Sequence, residues 1–357
     1  MKEDDNLGER LSGFACPVPI STYPAVLMAH GGGGSLTQML IERLFVPSFD
    51  NENLRELHDG AVLDVKGARI AFSTDSFVIR PIFFPGGDIG SLAVHGTVND
   101  LAMCGARPIA LSSALILEEG FPMEDLWRVV RSMKSAARAV GVPIVTGDTK
   151  VVERGKGDGV YVNVTGIGLV PDGVQISPRR AAPGDVVIVS GEIAVHGIAI
   201  LSLREGLRFE TTLESDTAPL NQLVDGLLTA LKESVHVLRD PTRGGVASVL
   251  HEIAGQAKVG IRITEDSIPV SEEVRGACEI LGLDPLYVAN EGKLLAIVAK
   301  DRAEEALNCL RSHPLGKDAA VIGEVVADHP GQVVLRSRVG GLRVVDLLTG
   351  EQLPRIC

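Results

Sequence analysis

Residues 171–185 read PDGVQISPRRAAPGD, with three prolines, two glycines and no apolar period. Proline fixes φ and removes a backbone donor, so no helix or central strand runs through such a stretch. The break divides the chain into two parts of similar length, each of which must build its own core. On both sides, short apolar runs of strand length alternate with longer runs at helical spacing. That alternation points to an α/β (α+β) arrangement in each half.

Upstream, RIAFSTDS reads as a strand ending near Thr74 and Asp75. PMEDLWRVVRSMKSAARAVG reads as an amphipathic helix with Leu126, Val129, Val130, Met133 and Ala137 on its apolar face. Glu124 and Asp125 open it and Arg138 closes it, as the helix dipole favours, and Gly141 stops it. VPIVTGD reads as a buried strand ending near Asp148, and VYVNVTGIGLV as another with Val160, Val162 and Val164 on one face. Downstream, VVIVSG, VGIRIT, LLAIVA, AVIGEVV and VVLRS read as strands. Helices are expected near 197–203, 223–231 and 245–257 and over AEEALNCLRSH. The expected organisation is an irregular segment 1–45, an α/β domain 46–171, a second α/β domain 180–345 and a flexible tail 346–357.

The formal net charge is −12, from 34 Lys and Arg against 46 Asp and Glu. That balance argues against a nucleic-acid backbone as partner, which needs a basic face. No apolar run reaches the roughly 18 residues that span a bilayer, and MKEDDNLGER is too acidic for a signal peptide. Five cysteines, odd in number and without a C-x-x-C pair, fit neither a disulfide framework nor a zinc site. A reducing, cytoplasmic setting is expected. Cys104, Cys278 and Cys309 sit among apolar neighbours and read as small core residues. Cys357 ends the polar, broken stretch TGEQLPRIC and has no such neighbourhood. Eight or nine extended residues reach roughly 30 Å at about 3.3–3.6 Å each, enough for a tethered thiol to visit a site on the body and one on a partner.

Asp75, Asp100 and Asp148 lie in the first half, two of them directly after expected strands, and Asp59 in HDGAVLDV is a fourth candidate. Such carboxylates cap turns in many proteins. Four in one domain, beside Asn99 and Lys150, also suit Mg²⁺, which binds one or two carboxylates together with phosphates. HGGGG precedes a helix-like run, and DPTRGG precedes another. Glycines followed by a helix N-terminus accommodate anions, although neither stretch matches a P-loop or dinucleotide fingerprint. Arg243 reads as a phosphate partner or a surface arginine. Glu291 and Lys150, next to buried strands, read as proton acceptors or as ion-paired residues.

HGGGG, DGAVL, FSTDSFVIRPIFFPGGDIGSLAVHGTVNDLAMCGARP, EEGFP, VTGDTKVVERGKGDG, DPTRGGVA, NEG and the final PRIC closely resemble the HypE family of hydrogenase maturation factors. That family sits in the wider aminoimidazole ribonucleotide synthetase-like (PurM-like) group, and the likeness runs from about Met28 to Cys357. The resemblance implies a two-domain α/β fold, a homodimer, and ATP and Mg²⁺ in a cleft near the subunit interface. It implies that HypF, a carbamoyltransferase, loads a carbamoyl group onto the Cys357 thiol. ATP-dependent dehydration then makes a thiocyanate, and the cyano group passes to iron on a HypC–HypD scaffold of [NiFe]-hydrogenase maturation. Phosphorylating the amide oxygen turns a poor leaving group into phosphate, and Mg²⁺ offsets the charge. By motif, Asp75, Asn99, Asp100, Asp148, Lys150, Arg243 and Gly244 match ATP and phosphate positions. Asp75, Asp100, Asp148 and Asp59 match metal positions, and Lys150 and Glu291 match groups near the modified thiol. The wider group carries two acids where this chain has His58 and Asp59, and the segment with Cys16 has no counterpart. The competing expectations are a small-molecule kinase or synthetase of selenophosphate synthetase type, and a non-enzymatic scaffold.

Overall fold

The computed structural model describes residues 25–49, 51–206, 213–348, 350 and 355–357. Cys16 lies outside them. Two sheets organise the chain. The first has the order β1-β2-β7-β5-β6. It is formed by β1 (Ala61–Val65), β2 (Ala68–Phe77), β5 (Arg107–Glu118), β6 (Ile144–Val152) and β7 (Val160–Leu169). Its neighbours run antiparallel except β5 and β6, which are parallel. A short ribbon of β3 (Phe83–Phe84) and β4 (Gly87–Asp88) leads into the first long helix.

Helices α1 (Ile89–Met103) and α2 (Met123–Val140) cover one face of this sheet. Asp88 caps α1, accepting from the N–H groups of Gly90 and Ser91. Twelve residues of α1 are buried, including Thr97 and Asn99. A helix enclosed on all sides shows no apolar stripe, so sequence periodicity missed it. Helix α2 follows expectation, with Gly141 at φ 73° ending it.

The other face of the sheet is open, and this corrects the reading of VPIVTGD as a buried strand. Strand β6 is exposed along nearly its whole length because it is an edge strand with no helix over it. Strand β7 matches expectation, with Val160, Val162 and Val164 inward.

The second sheet has seven strands in the order β14-β13-β10-β12-β8-β11-β9. They are β8 (Val186–Val189), β9 (Val235–Arg239), β10 (Gly260–Thr264), β11 (Leu295–Val298), β12 (Ala320–Val326), β13 (Val333–Arg336) and β14 (Leu342–Val344). Only β10 and β13 pair in parallel. Its helices are α3 (Val195–Glu205), α4 (Asn221–Leu231), α5 (Gly245–Ala257), α6 (Glu272–Leu281) and α7 (Ala303–Arg311). One apolar cluster joins Leu101 and Met103 of α1 to Leu223 and Leu227 of α4 and Ala296 of β11, so the halves share buried surface. Cys104 and Cys278 are buried, while Cys309 is only half-buried on α7.

Candidate active site

Strand alternation turns Ala71, Ser73, Asp75 and Phe77 of β2 toward the helix side of the first sheet. There Asp75 meets acids from four other places: Asp59 before β1, Asp100 near the end of α1, Asp240 just after β9, and Glu291 before β11. A cavity of about 760 Å³ between the halves is lined by Asp59, Asp75, Asp100, Asp240 and Arg243. That volume suits a nucleotide-sized ligand.

The acids are differentiated by their surroundings. Burial pushes Asp59 up, but Arg239 and His58 outweigh it and hold the carboxyl below its usual range. The Arg239 Nε donates to Asp59 Oδ1 at 2.7 Å, and another guanidinium nitrogen donates to Glu252 at 2.7 Å. Asp100, Asp240 and Glu291 are driven well up, first by burial and then by neighbouring carboxylates. Ser73 Oγ donates to Asp100 Oδ2 at 2.6 Å. Burial also raises Asp75, with Arg243 opposing. Several like charges thus face one cleft, and they cannot all ionise without a counter-charge.

Among the buried oxygens with no hydrogen-bond partner are two of these carboxylates' own, Glu291 Oε1 and Asp59 Oδ2. His58 Nδ1 lies 3.4 Å from Asp59 Oδ2 but already accepts from the Asp59 N–H. Orphaned carboxylate oxygens among mutually repelling acids fit a cation. Among the described residues, no three ligands converge into a preformed metal cage.

The tail enters this site. Ile356 is 3% exposed, and the backbone carbonyl of Cys357 accepts from the Val78 N–H at 2.9 Å. The Cys357 side chain packs at the rim of a cluster containing Phe77, Phe84 and Ala289. Burial pushes its thiol far up, Arg243 opposes, and Glu291, Asp75 and Asp240 push it further. The end of the chain is docked in this position, which corrects the expectation of an exposed thiol. The cause is backbone pairing, which residue type does not reveal.

The glycine run lies close by. A Cβ on Gly33 would stand 2.7 Å from the Arg243 carbonyl oxygen, and one on Gly34 would stand 2.4 Å from that of Leu348. Gly33 also has φ +77°, so the run closes on DPTRGG in a way only glycine permits. Gly244, at φ +78°, immediately precedes α5.

Asn99 has a different place from the one expected. It is fully buried, donating to the carbonyls of Ala218 and Glu291 and accepting from the Leu220 N–H. Its amide ties α1 to the segment carrying Glu291. Asp148 and Lys150 do not join the cleft of the same chain. They pair with each other at 2.9 Å on β6, where register with Ala114 and Ile116 sets them on the open face of the sheet. Asp240, Arg239 and Asp216 were not singled out from sequence. The signal available was RDPTRGG, a charged pair closing an apolar strand run.

The AIR synthase related protein, N-terminal domain, matches residues 57–170, and its C-terminal domain matches residues 182–336. Carbamoyl dehydratase HypE of Azotobacter vinelandii is 56% identical, across 93% of this chain and 97% of its own. A crystal structure of a HypE–HypF complex superposes with TM-score 0.83 at 50% identity, covering 87% of this chain and 99% of that one. HypE in complex with ATP superposes with TM-score 0.79 at 52% identity, covering 93% and 100%. The acid cleft and the docked cysteine thus lie in a chain that belongs to the AIR synthase related family and, within it, to the carbamoyl dehydratases of the HypE group.

Proposed function

We infer that this chain carries its own substrate. It is an ATP-dependent carbamoyl dehydratase that converts a carbamoyl group on the Cys357 thiol to a thiocyanate, supplying the cyanide ligand in [NiFe]-hydrogenase maturation. The observation that carries this reading is the docking of Cys357 within the field of Arg243, Glu291, Asp75 and Asp240. A kinase acting on a free small molecule has no use for a thiol seated there.

The tucked thiol is held neutral by burial, so it is a poor nucleophile in this position. Loading by HypF therefore takes place with the tail swung out, and dehydration with the tail in. Once loaded, the sulfur bears an uncharged S–C(=O)NH₂ group, which the buried seat tolerates better than a thiolate. One or two of Asp59, Asp75, Asp100 and Asp240 would hold Mg²⁺ together with phosphate oxygens, and the bound ion would neutralise the phosphates and the acids together. Arg243 sits where it can pair with phosphate oxygen, with Gly244 at the opening of α5. Glu291 has a free oxygen to receive a proton from the carbamoyl nitrogen. Two protons leave that nitrogen and one oxygen leaves as phosphate, which balances amide to nitrile.

Lys150 and Asp148 take part across a homodimer. The open face of the first sheet exposes Leu63, Val65, Phe72, Ile116, Ile167 and Leu169, a run of apolar side chains of the kind that seats a partner. Both polar residues lie on this face. A second copy seated on it brings Asp148 and Lys150 of one protomer to the cleft of its partner. Among the described residues no helix is long and apolar enough to cross a membrane. The reducing chemistry of a free catalytic thiol suits the cytoplasm, and a HypC–HypD scaffold receives the cyano group.

Intact-mass analysis with HypF, carbamoyl phosphate and ATP tests the reading. The expected record is a gain of one carbamoyl group, then ATP-dependent loss of one water. Cys357→Ala abolishes both. Modification that persists in that variant, or loading without any loss of water, overturns the reading.

A further inference from the structure

His196 has no part in the chemistry above, yet it touches the tail one residue before the thiol. It is fully buried at the start of α3, with its ring edge-on to Phe84 at 5.8 Å. Its Nε2 lies 2.8 Å from the Ile356 carbonyl oxygen, and its Nδ1 lies 2.6 Å from Ser215 Oγ. The network decides which nitrogen bears the proton. Ser215 Oγ accepts from the Thr217 N–H at 3.2 Å, which leaves its own hydrogen to donate to Nδ1. The imidazole proton then sits on Nε2 and donates to the tail. A carbonyl oxygen offers no proton, so the reverse tautomer would set a lone pair against it.

The ring is also fixed in place. Ala194 adopts φ +71°, a strained value for a residue with a Cβ, and its N–H donates to Asn290 Oδ1 at 2.6 Å. Gly197 N–H donates to the Ala289 carbonyl at 3.0 Å. The turn that presents His196 is therefore bonded to the two residues that precede Glu291. Several other tail contacts also fall on backbone: the Arg204 guanidinium donates to the Arg80 and Arg355 carbonyls, and Arg355 Nε donates to the Val78 carbonyl at 3.0 Å, while the Arg355 guanidinium also pairs with the Asp158 carboxylate.

We propose that His196, with its tautomer set by Ser215, is the positioning residue that registers the tail against Glu291 and so places the Cys357 sulfur for dehydration. The inference rests on the dehydratase reading. The latch grips the peptide carbonyl and not the sulfur, so it holds thiol, carbamoyl and thiocyanate forms alike. It is weak enough to release, because one such neutral hydrogen bond shifts an in–out balance only about fivefold.

The test separates tail placement from both stability and chemistry. Full-length wild type, His196→Leu, His196→Gln and Ser215→Ala are compared by three measurements. These are iodoacetamide alkylation of Cys357 read by peptide mass, carbamoyl loading by HypF, and ATP-dependent loss of water from preloaded chain. His196→Leu is expected to raise alkylation and lower the dehydration rate by two factors whose product is about fivefold, with loading unchanged or faster. His196→Gln, whose amide can donate from nearly the same place, recovers most of both. Ser215→Ala falls between and keeps the fold if His196→Leu does not. Unchanged alkylation in both His196→Leu and Ser215→Ala overturns the proposal. So does a parallel fall in loading and dehydration that His196→Gln fails to rescue, because that marks a merely structural residue. If wild type itself loses no water, the dehydratase reading fails, while the alkylation comparison still decides whether His196 holds the tail.

Discussion

Glu291 is enclosed, has one oxygen without a hydrogen-bond partner, and feels Asp75, Asp240 and Asp216. Burial and those charges raise its affinity for a proton well above that of an ordinary glutamate. A proton acceptor must start ionised, so cationic charge entering the cleft is what prepares Glu291 for its task. The asymmetry predicts the behaviour of Glu291→Gln. The amide keeps the size and removes basicity, so dehydration of preloaded chain should fall by about 10²-fold or more, while loading, which occurs with the tail out, stays near wild type. Rapid-quench measurement of water loss checks this, and a loading defect with normal dehydration would reverse the assignment. The raised proton affinity also gives a sign for pH. Dehydration should weaken as pH falls through the raised value, and Glu291→Gln should lose that limb of the profile.

Asp240 belongs to the same set. Its carboxyl is buried after β9 and pushed up by burial and by Asp59. Asp240→Asn removes one carboxyl from the mutually repelling set. The expected outcome is a more heat-stable protein without Mg²⁺ and a smaller gain in Tm when Mg²⁺ and ATP are added, since less repulsion remains for the ligands to relieve. Calorimetry with and without the nucleotide checks both halves.

At the scale of elements, α1 joins the parts of the site. It carries Asp100 into the cleft, Asn99 into the joint with the second half, and His95 against Thr217 at 3.2 Å. Burial lowers His95 to about 4, so the neutral ring is the folded form. The unfolded chain binds a proton near pH 6.5 and the folded one does not until near pH 4. Stability is therefore complete above about pH 6.5 and is lost as pH falls, at up to about 1.4 kcal/mol per pH unit from this group. Urea unfolding of wild type and His95→Gln across that window should show the slope diminished in the variant.

Helix α1 also marks where sequence reading stops. Helix α2 and strand β7 were legible because each has one buried face and one wet face, and the pattern records the difference. A helix buried all round has no such contrast. The apolar VPIVTGD run misled for the opposite reason: it is apolar because a surface needs covering, not because this chain covers it. In the site, Asp59, Asp75, Asp100, Arg243 and Glu291 were legible as charged residues beside glycines and strand ends. Arg239 and His196 were not, because their roles depend on who sits opposite them in space. The seat of the tail's end is not legible in the sequence, because much of the grip on it falls on carbonyl oxygens, which every residue carries.

At the scale of the molecule, one chain brings together Asp59, Asp75, Asp100, Asp240, Arg243, Glu291 and Cys357 but leaves Asp148 and Lys150 on the far face of the first sheet. Two arrangements account for this. Either Lys150 is a surface residue paired with Asp148, or it acts in a neighbouring copy, and a mixed dimer tells them apart. Chains carrying Cys357→Ala and Lys150→Ala, with different tags before Met1, are co-expressed and the heterodimer is isolated. The Lys150→Ala chain holds the only Cys357, and the Cys357→Ala chain holds the only Lys150. If Lys150 serves the cleft of its partner, the single thiol meets an intact site and the heterodimer dehydrates at about half the wild-type rate per dimer, as two-fold symmetry requires. If Lys150 acts within its own chain, the heterodimer does no better than the Lys150→Ala homodimer. If Lys150 has no role, that homodimer is itself as active as wild type. Loading of the single thiol should be normal in every case, because a swung-out tail needs neither Lys150 nor the cleft. Adding Ile167→Asp, which sets a charge on the open apolar face, should then separate the copies and abolish the complementation while leaving that loading intact.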